Sequence, residues 1–475
     1  MSIATDPVRP APPPNRLPID VEGDIEALPL AGELPPGLEG TLVRNGPNPL
    51  VPDPRAHWFG GDGMLHAFRI AGGRVDYRNR WVRTVQLDLA RRTGRNPLDG
   101  MRLAKEFEGI ENDGAANTNI VGHAGRLFAL EEAHLPIEVA LPGLDTRGPT
   151  DFGGGLRAKP FTAHPKTDPA TGELLFFGYG TPERLSAGMS FGVLSPQGEV
   201  TRFETFEAPY ASMVHDFAIT ERFAVFPVMP LTASRERAES GRPPYAWEPQ
   251  HGTRVGLLPR AGGAAGIQWW EGPACYVFHV MNAWEDGERV FLDVMQYAQP
   301  PLFPLPDGRP SSPDGPAPAV LVRWELDLAD PSRTLRTRRL HPVSGEFPRI
   351  DDRRTGLPYR HGWFTGNLAD AQDQPLPAGA LVHVDHASER IDLWALPAGD
   401  RASEPVFVPR HAGAPEGDGW VLAVLYRAAS HTSDLAVFDA CRLSAGPLCL
   451  ASLPHRVPEG FHGNWFAAGA AQGAA

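Results

Sequence analysis

Histidines that could hold a metal ion are the residues of this chain with the clearest chemical potential. Of its 16 histidines, four lie far apart in similar settings: His164 in FTAHP, His215 in MVHDF, His279 in VFHVM and His462 in GFHGN. Neutral imidazoles suit iron, copper or zinc, and carboxylates near them would balance the 2+ charge by accepting the outer ring N–H groups. The spacing is compatible with one shared ion, but many other quartets of histidines would be as well.

Three other patterns resemble known motifs but lack the context that those motifs need. GMSFG at 188–192 matches a nucleophile elbow, yet the alternating residues after it predict a continuing strand instead of a helix. GGGLRA at 153–158 resembles a dinucleotide-binding loop, but no strand leads into it and Pro160 blocks the helix that should follow. His383 and His386 are the one closely spaced histidine pair. Residues three apart on a strand point to opposite faces, so we do not expect them to share a metal ion.

Composition and charge exclude several classes of partner and chemistry. The net charge is −13, from 44 basic and 57 acidic residues, and no basic run stands out. Nucleic acid is therefore not an expected partner. The three cysteines are too few for a disulfide framework and fit a reducing cytoplasm. Cys441 and Cys449 could pair across a hairpin, but buried free thiols are the favoured interpretation.

The N-terminal segment, residues 1–20, is rich in proline and has no apolar core, so we expect a flexible arm instead of a signal peptide. No apolar run approaches the ~18 residues that a membrane span needs. The sequence thus predicts a soluble, cytoplasmic protein that contacts a membrane at most peripherally, through substrate uptake.

Short strands separated by turns dominate the chain after residue 117, and no alternating helices accompany them. This rhythm is typical of an all-β sandwich, barrel or propeller. The length favours a seven-bladed β-propeller that forms one domain over residues 21–475. A helical or irregular stretch at 87–109, interrupted by Pro97, and the Pro-rich stretches 231–252 and 300–318 do not fit this rhythm. We expect the stretches 231–252 and 300–318 to cross one face, where binding surfaces usually lie, with a disordered surface loop as the alternative for 300–318.

Ten segments, in order, resemble the carotenoid cleavage oxygenase family. They are LVRNGPNP (42–49), HWFGGDGMLHAFRI (57–70), ANTNIV (116–121), FTAHPKTDPATGEL (161–174), MVHDFAIT (213–220), GLLPR (256–260), FHVMNAWEDG (278–287), GEFPRI (345–350), EPVFVPR (404–410) and FHGNW (461–465). The resemblance implies the same seven-bladed propeller that the strand rhythm favours, with a cap of loops and helices over its iron-bearing face.

The resemblance also implies a set of site residues. The four iron-ligating histidines of the family fall on His164, His215, His279 and His462, and its three supporting glutamates fall on Glu132, Glu346 and Glu404. The implied activity is that of a non-haem Fe(II) dioxygenase, which uses O₂ to cleave a C=C bond of an apolar substrate into two carbonyl products. Such chemistry requires no side-chain nucleophile or general base.

One departure from the family pattern bears on the substrate. Stilbenoid-cleaving relatives have a lysine just before the first supporting glutamate, where this chain has Glu131. We therefore expect a carotenoid or apocarotenoid substrate, with a hydroxystilbene of the lignostilbene or resveratrol type as the alternative. A non-catalytic propeller with a vestigial iron site is the competing class of function, and no obligate protein partner is expected.

Overall fold

The computed structural model describes residues 13–53, 56–100, 102–312, 315, 317–369 and 375–469, and antiparallel strands make up most of them. The strands of the first half are, in chain order, β1 (Gly23–Ile25), β2 (Leu30–Gly32), β3 (Gly40–Pro47), β4 (Gly63–Ala71), β5 (Arg74–Trp81), β6 (Leu98–Asp99), β7 (Arg102–Leu103), β8 (Asn119–His123), β9 (Arg126–Leu130), β10 (Ile137–Ala140), β11 (Asp145–Pro149), β12 (Lys166–Thr167), β13 (Leu174–Tyr179), β14 (Gly188–Leu194), β15 (Val200–Glu207), β16 (Ala218–Ile219), β17 (Phe223–Val228) and β18 (Leu231–Ala233).

The second half continues the same pattern with longer strands. They are β19 (Tyr245–Trp247), β20 (Thr253–Pro259), β21 (Gln268–Gly272), β22 (Tyr276–Asp286), β23 (Arg289–Tyr297), β24 (Val320–Asp327), β25 (Arg336–Ile350), β26 (His361–Ala369), β27 (Pro375–Asp385), β28 (Arg390–Ala395), β29 (Arg401–Ala402), β30 (Val406–Pro409), β31 (Gly419–Arg427), β32 (Thr432–Asp439), β33 (Cys449–Leu453) and β34 (Gly463–Ala467).

Helices are few and short in the described residues. The two α-helices are α1 (Val85–Thr93) and α2 (Arg235–Glu239), and the 3₁₀ turns are Pro14–Arg16, Trp58–Gly60, Lys105–Phe107, Pro249–His251, Ala264–Gly266, Asp352–Arg354 and Leu443–Ala445. Helix α1 begins where the Thr84 side chain accepts the Leu87 N–H, and it ends at Gly94 in the left-handed conformation. The helix expected near 87–109 therefore ends before Pro97. No described helix is long and apolar enough to cross a membrane.

Strand pairing arranges the described residues into six sheets of four or more strands and two short ribbons. The sheets have the orders β1-β5-β4-β3-β34, β11-β10-β9-β8, β12-β13-β14-β15, β16-β17-β20-β21, β22-β23-β24-β25-β26-β27-β28 and β2-β33-β32-β31-β29, with β30 also paired to β31, and the ribbons are β18-β19 and β6-β7. The predicted all-β class is confirmed.

The two ends of the chain close the propeller. C-terminal β34 pairs with β3 from Gly40↔Ala467 to Arg44↔Gly463, and N-terminal β2 pairs with β33 in the last sheet. Side chains of the first and last sheets share one buried cluster, in which Leu42 lies with Trp420 and Val437. Closure thus rests on apolar burial as well as on backbone hydrogen bonds.

The expected count of seven blades is not confirmed as a count of separate sheets, because β22–β28 form one continuous seven-stranded sheet. Within it, the 15-residue strand β25 pairs with β24 mainly through Arg336–Arg339 and with β26 through Ser344–Ile350. Ser344 pairs with Val320 of β24 and with Asn367 of β26. A register shift interrupts the pairing with β24 before Ser344, and another interrupts the pairing with β26 after Glu346. The two halves of β25 therefore serve two different groups of strands.

Elements outside the sheets gather at one end of the structure. The stretch 231–252, expected as an excursion from the β rhythm, forms ribbon β18-β19 with α2 between its strands. In the stretch 300–318, the Pro304 carbonyl accepts the Trp247 N–H and so joins this ribbon. Residues of α1, α2, β6 and β7 line a common cavity, which the next section describes.

Part of the expected N-terminal arm, residues 1–12, lies outside the described residues. From Pro13 the chain is packed against the C-terminal region: Asn15 is buried, and both Asn15 and Arg16 donate hydrogen bonds to the carboxylate of Glu459. The Ile19 N–H in turn donates to the Asn48 side chain. The described part of this segment is thus anchored, while the division into an arm and one domain stays a prediction.

We expect Leu42→Ala to weaken closure of the propeller. Leu42 is fully buried between the first and last sheets, so its truncation should lower the free energy of unfolding by about 2–5 kcal/mol. Leu30→Ala is the matched control, because Leu30 lies on β2 with 39% of its surface exposed and should change stability by at most about 0.5 kcal/mol. Denaturant unfolding followed by tryptophan fluorescence measures both, and equal effects would contradict the proposed role of Leu42.

Candidate metal centre

The four predicted histidines lie on, or next to, the innermost strands of four different sheets. His164 lies two residues before β12, His215 three residues before β16, His279 lies within β22, and His462 lies just before β34. Inner strands of neighbouring sheets contact one another, as β16 and β22 do, so residues at these positions are brought toward one axis. Sequence separation is therefore no obstacle to their meeting.

The four imidazoles form one buried cluster. One ring nitrogen from each of His164, His215, His279 and His462 lies within 4.8 Å of the others, and the exposed fractions are 7%, 7%, 8% and 4%. The Nε2 atoms of His164 and His215 are 3.0 Å apart. Most ring pairs meet at steep angles, for example 85° between His164 and His462. The rings thus direct their edges toward a common point.

Three carboxylates hold the outer nitrogens of three of these rings. Nδ1 of His215 is bonded to Glu132, Nδ1 of His279 lies 2.6 Å from Glu346 Oε2, and Nδ1 of His462 lies 2.9 Å from Glu404 Oε1. A carboxylate on Nδ1 makes that atom the proton donor and leaves Nε2 with a lone pair. Among the described residues, no ion pair joins His164 to a carboxylate.

Further contacts fix the carboxylates themselves. The Tyr179 hydroxyl donates to Glu132 Oε2, and the Phe347 N–H donates to Glu346 Oε2. Glu404 Oε2 accepts the Gly463 N–H at 2.9 Å and Arg349 Nη1 at 3.2 Å. Each carboxylate therefore has a second anchor besides its histidine, which restricts the ring orientation.

Burial and neighbouring charges set the protonation states. Burial alone would raise the pKa of Glu404, but Arg349 and His462 outweigh it and lower that pKa to about 2. Burial lowers the pKa of His462 to about 4, and burial together with the neighbouring imidazoles holds the pKa of His164 well below its usual value. Burial would also lower the pKa of His279, but Glu346 outweighs it and raises that pKa. A metal cation and a proton would compete for Nε2 of His279.

The donor set fits a first-row transition metal ion. Nε2 of His279 is buried without a hydrogen-bond partner among the described residues, which is costly for a polar atom unless something binds it. Two imidazole nitrogens at 3.0 Å also match the spacing of ligands around one ion, because neighbouring ligands at about 2.1 Å and 90° lie roughly 3.0 Å apart. Four imidazoles with carboxylates behind three of them are ligands that iron, copper or zinc accepts.

Two cavities lie at opposite ends of the β8-β9 hairpin, and the first of them contacts the histidine cluster. One of about 560 Å³ is lined by His164, His279 and His462 together with the hairpin turn at 124–125. The other, of about 570 Å³, is lined by Glu131 at the far end of the hairpin and by Phe59. Its remaining walls come from α1, α2, β6 and β7, so the capping elements enclose it. We call this second space the cap cavity.

Aromatic side chains join the cap cavity to the histidines. The Phe59 ring lies 6.4 Å from Phe278 and 5.6 Å from Phe461 between ring centroids, and Phe278 lies 5.4 Å from His215. Phe347 stacks on His279 at 5.3 Å. A row of packed aromatic side chains therefore lies between the Phe59 wall of the cap cavity and the histidine cluster.

Comparison with known proteins identifies the family. The family model described as RPE65, retinal pigment epithelial membrane protein, matches residues 17–467. The chain belongs to this family, the carotenoid cleavage oxygenases. The oxygenase is 38% identical to isoeugenol monooxygenase of Pseudomonas nitroreducens, over 94% of this chain and 96% of the relative. It is 35% identical to lignostilbene-alpha,beta-dioxygenase isozyme III of Sphingomonas paucimobilis, over 94% and 95%.

Other relatives carry the family's carotenoid names. The oxygenase is 33% identical to carotenoid cleavage oxygenase 1 of Neurospora crassa, over 94% of this chain and 89% of the relative. Among solved structures, the lignostilbene dioxygenase of Pseudomonas brassicacearum superposes with a TM-score of 0.88 at 34% identity, covering 95% of this chain and 97% of that one. Cobalt-substituted Synechocystis ACO superposes at 0.86 with 31% identity, covering 96% and 98%. The family is thus metal-dependent, and the fold is that of its propeller enzymes.

Some residues of the site were not found from the sequence. Tyr179 donates a hydrogen bond to Glu132, but it lies in no sequence motif that indicates this role. Arg349 follows Glu346 by three residues in GEFPRI, which is a signal that sequence reasoning could have used. Arg44, buried beside Glu404, lies in the segment LVRNGPNP. The GMSFG segment, which resembles a nucleophile elbow, lies in strand β14. Cys275, Cys441 and Cys449 are free thiols.

We expect Glu346→Gln to keep most of the bound metal but to reduce turnover about 10–100-fold. The amide can still contact His279 Nδ1, but it removes the negative charge that offsets the cation. Elemental analysis gives the metal content, and O₂ uptake gives the turnover. Glu271→Gln is the matched control, because the Glu271 side chain is exposed on β21, and it should behave as the parent chain does. Equal turnover in both variants would contradict the role of Glu346.

Proposed function

We propose that this chain is a non-haem Fe(II) dioxygenase that cleaves the C=C bond of a phenolic aryl alkene, such as a hydroxystilbene or an arylpropene. The observation that carries the proposal is the convergence of His164, His215, His279 and His462 on one point, with Glu132, Glu346 and Glu404 behind three of them. These residues are the proposed ligands and their supports. Bound Fe(II) supplies the redox chemistry with O₂ that a closed-shell protein side chain cannot.

The reaction balances without any further reactant. One alkene, R–CH=CH–R′, and one O₂ give R–CHO and R′–CHO, so both oxygen atoms enter the products and no external reductant is consumed. The protein side chains need not supply a proton or a nucleophile. Their task is to bind the metal, orient one double bond beside it and exclude water.

The residues around the centre suit these tasks. Phe278 and Phe347 contact the imidazoles of His215 and His279 directly and provide apolar surface beside them. Flat aromatic walls hold a planar, conjugated alkene and leave little room for water. Glu132 and Glu404 keep two rings in fixed orientations, so that the metal would stay in place as substrates exchange.

The relatives bear on the choice of substrate. The expected preference for a carotenoid or apocarotenoid relied on Glu131, which replaces the lysine of stilbenoid-cleaving enzymes. The isoeugenol and lignostilbene enzymes are nevertheless at least as similar to this chain as the carotenoid-cleaving ones. Because both named substrates are phenols with a conjugated double bond, we favour this class and treat polyene cleavage as the second candidate.

Glu131 offers a direct way to bind a phenol. It lines the cap cavity, and its Oε1 is bonded to His134 Nδ1. Its Oε2 has no hydrogen-bond partner among the residues that the structure describes. Burial would lower the pKa of His134, but Glu131 outweighs it and raises that pKa. In this proposal Glu131 Oε2 accepts the hydrogen bond that the phenolic hydroxyl donates.

The remaining expectations belong to the same proposal. One domain over residues 21–475 carries the activity, and apolar substrate and O₂ are the partners. We propose that the enzyme works in the cytoplasm and touches a membrane peripherally only if it takes up a polyene. A non-catalytic propeller is disfavoured, because all four histidines and their three carboxylates are in place.

Metal quantitation combined with substrate assays tests the function. The chain is purified, reconstituted anaerobically with Fe(II) and given isoeugenol, resveratrol or a β-apo-carotenal in air. We expect one iron per chain, one O₂ consumed per alkene, and two carbonyl products from a phenolic aryl alkene. Products from the polyene alone would select the second candidate. No O₂ uptake with any of the three would contradict the oxygenase proposal.

We expect Glu131→Gln to raise KM for the phenolic substrate about tenfold with a smaller effect on kcat, because a carboxylate accepts a hydrogen bond more strongly than an amide does. The O-methylated substrate, which has no hydroxyl to donate, should be cleaved equally by both proteins. Glu131→Lys, assayed on stilbenoid and polyene, tests the same position in the opposite direction. Unchanged preference in both variants would remove Glu131 from substrate selection.

A further inference from the structure

A second group of metal-binding side chains lies away from the four-histidine centre, where the last two large sheets meet. It consists of His361 on β26, His383 on β27 and Cys441, which follows β32. One nitrogen of each imidazole and the Cys441 Sγ lie within 4.8 Å of one another. Neither the proposed oxygenase mechanism nor any relative's name accounts for this group.

Strand register explains why the two histidines meet. Trp363 pairs with His383, and His361 pairs with Asp385, so His361 and His383 are diagonal neighbours on one face of the sheet. His361 Nδ1 and His383 Nε2 are 3.0 Å apart. His386, the sequence neighbour that resembled a partner for His383, contacts Tyr359 and Asp293 instead. The prediction that His383 and His386 do not share an ion is consistent with these contacts.

The spacing of the two nitrogens equals that in the main centre. His164 Nε2 and His215 Nε2 are also 3.0 Å apart. Tetrahedral coordination with metal–nitrogen bonds of about 2.05 Å places two nitrogens roughly 3.3 Å apart. A few tenths of an ångström of adjustment would therefore convert the His361–His383 contact into a pair of ligands.

The loop before β31 is folded tightly over the group. Gly417 has φ +81°, and a Cβ built there would lie 2.6 Å from His361 Cδ2 and 3.1 Å from Cys441 Sγ. Glu416 Oε1 holds the same loop to β26 by accepting the backbone N–H groups of Arg360 and His361, the latter at 2.8 Å. The approach of three donors thus depends on a glycine and on an anchored loop, not on surface side chains that happen to be near.

Charges of both signs surround the group, because Arg360, Arg390 and Arg442 line the same cavity as Asp385 and Asp392. His361 and His383 are 7% and 5% exposed, and burial, followed by the neighbouring His361, lowers the pKa of His383 to about 4. Burial, with Asp439 and Asp385, raises the pKa of the Cys441 thiol to about 11, so the thiol keeps its proton until a metal ion displaces it. Asp385 is bonded to Arg360, and Asp392 accepts the Ser444 N–H, so both carboxylates flank the group without needing to be ligands.

We propose that His361, His383 and Cys441 bind a second divalent cation of the zinc class, with solvent as the fourth ligand. Two imidazoles and one thiolate are donors that Zn²⁺ prefers. An open cavity of about 740 Å³ beside the three residues leaves room for that fourth ligand. Since Cys441 lies in the turn after β32 of the last sheet and both histidines lie on strands of the preceding one, the ion would tie the two sheets together.

Cobalt(II) is the probe that separates this site from the four-histidine centre. A thiolate bound to Co²⁺ gives a sulfur-to-cobalt charge-transfer band in the near ultraviolet, which a centre of four imidazoles cannot give. Full-length protein, already loaded with iron, is titrated with Co²⁺. We expect the band to saturate at one equivalent, to be displaced by Zn²⁺, to be lost in Cys441→Ser and to persist in the matched control Cys449→Ser.

A stability readout completes the test. Zn²⁺ should raise the Tm of the iron-loaded parent chain by a few degrees and leave that of Cys441→Ser unchanged, while oxygenase turnover stays the same in both. His383→Gln and Gly417→Ala should also abolish the cobalt band, and they serve if Cys441→Ser does not fold. No band in the parent chain, or a band that survives Cys441→Ser, overturns the proposal.

Discussion

The structure depends on holding four imidazoles together in a buried place where a cation could bind. A divalent ion in such a site is stable only if negative charge lies close by, because four imidazoles bring none. Glu132, Glu346 and Glu404 supply that charge from directly behind three of the rings. They also fix the tautomer of these three rings, so that Nε2 of His215, His279 and His462 is left to bind a cation.

That requirement explains why closure of the propeller matters for chemistry. His462 comes from the segment just before β34, and β34 completes the first sheet by pairing with β3. Glu404, which holds His462, comes from the last sheet and is itself held by Arg349 of β25. These hydrogen bonds thus link residues of three sheets. An error in closure of the propeller would therefore displace His462 as well as loosen the outer strands.

The cap cavity adds selectivity to a centre that has little of its own. An apolar surface of phenylalanine rings accepts many conjugated molecules, and the double bond beside the metal is chosen by whatever fixes the other end of the substrate. Glu131 and His134 form the polar pair at that other end, at the end of the β8-β9 hairpin away from its turn. Under the proposed function, a change at Glu131 would alter substrate choice while the metal centre stays intact.

The sequence by itself determined the all-β class, the family and the residues for the metal centre. Strand alternation and short motifs such as FTAHP and GEFPRI involve only neighbouring residues, so they can be recognised without knowledge of the fold. Local patterns could not show that Tyr179 and Arg349 bond the carboxylates, or that Arg44 donates to the Glu404 backbone carbonyl. Nor could they show that His383 meets His361 and Cys441 instead of His386. They also could not show that β22–β28 form one continuous sheet. These contacts join residues from different strands and sheets, and only register and packing in three dimensions decide which side chains share a face.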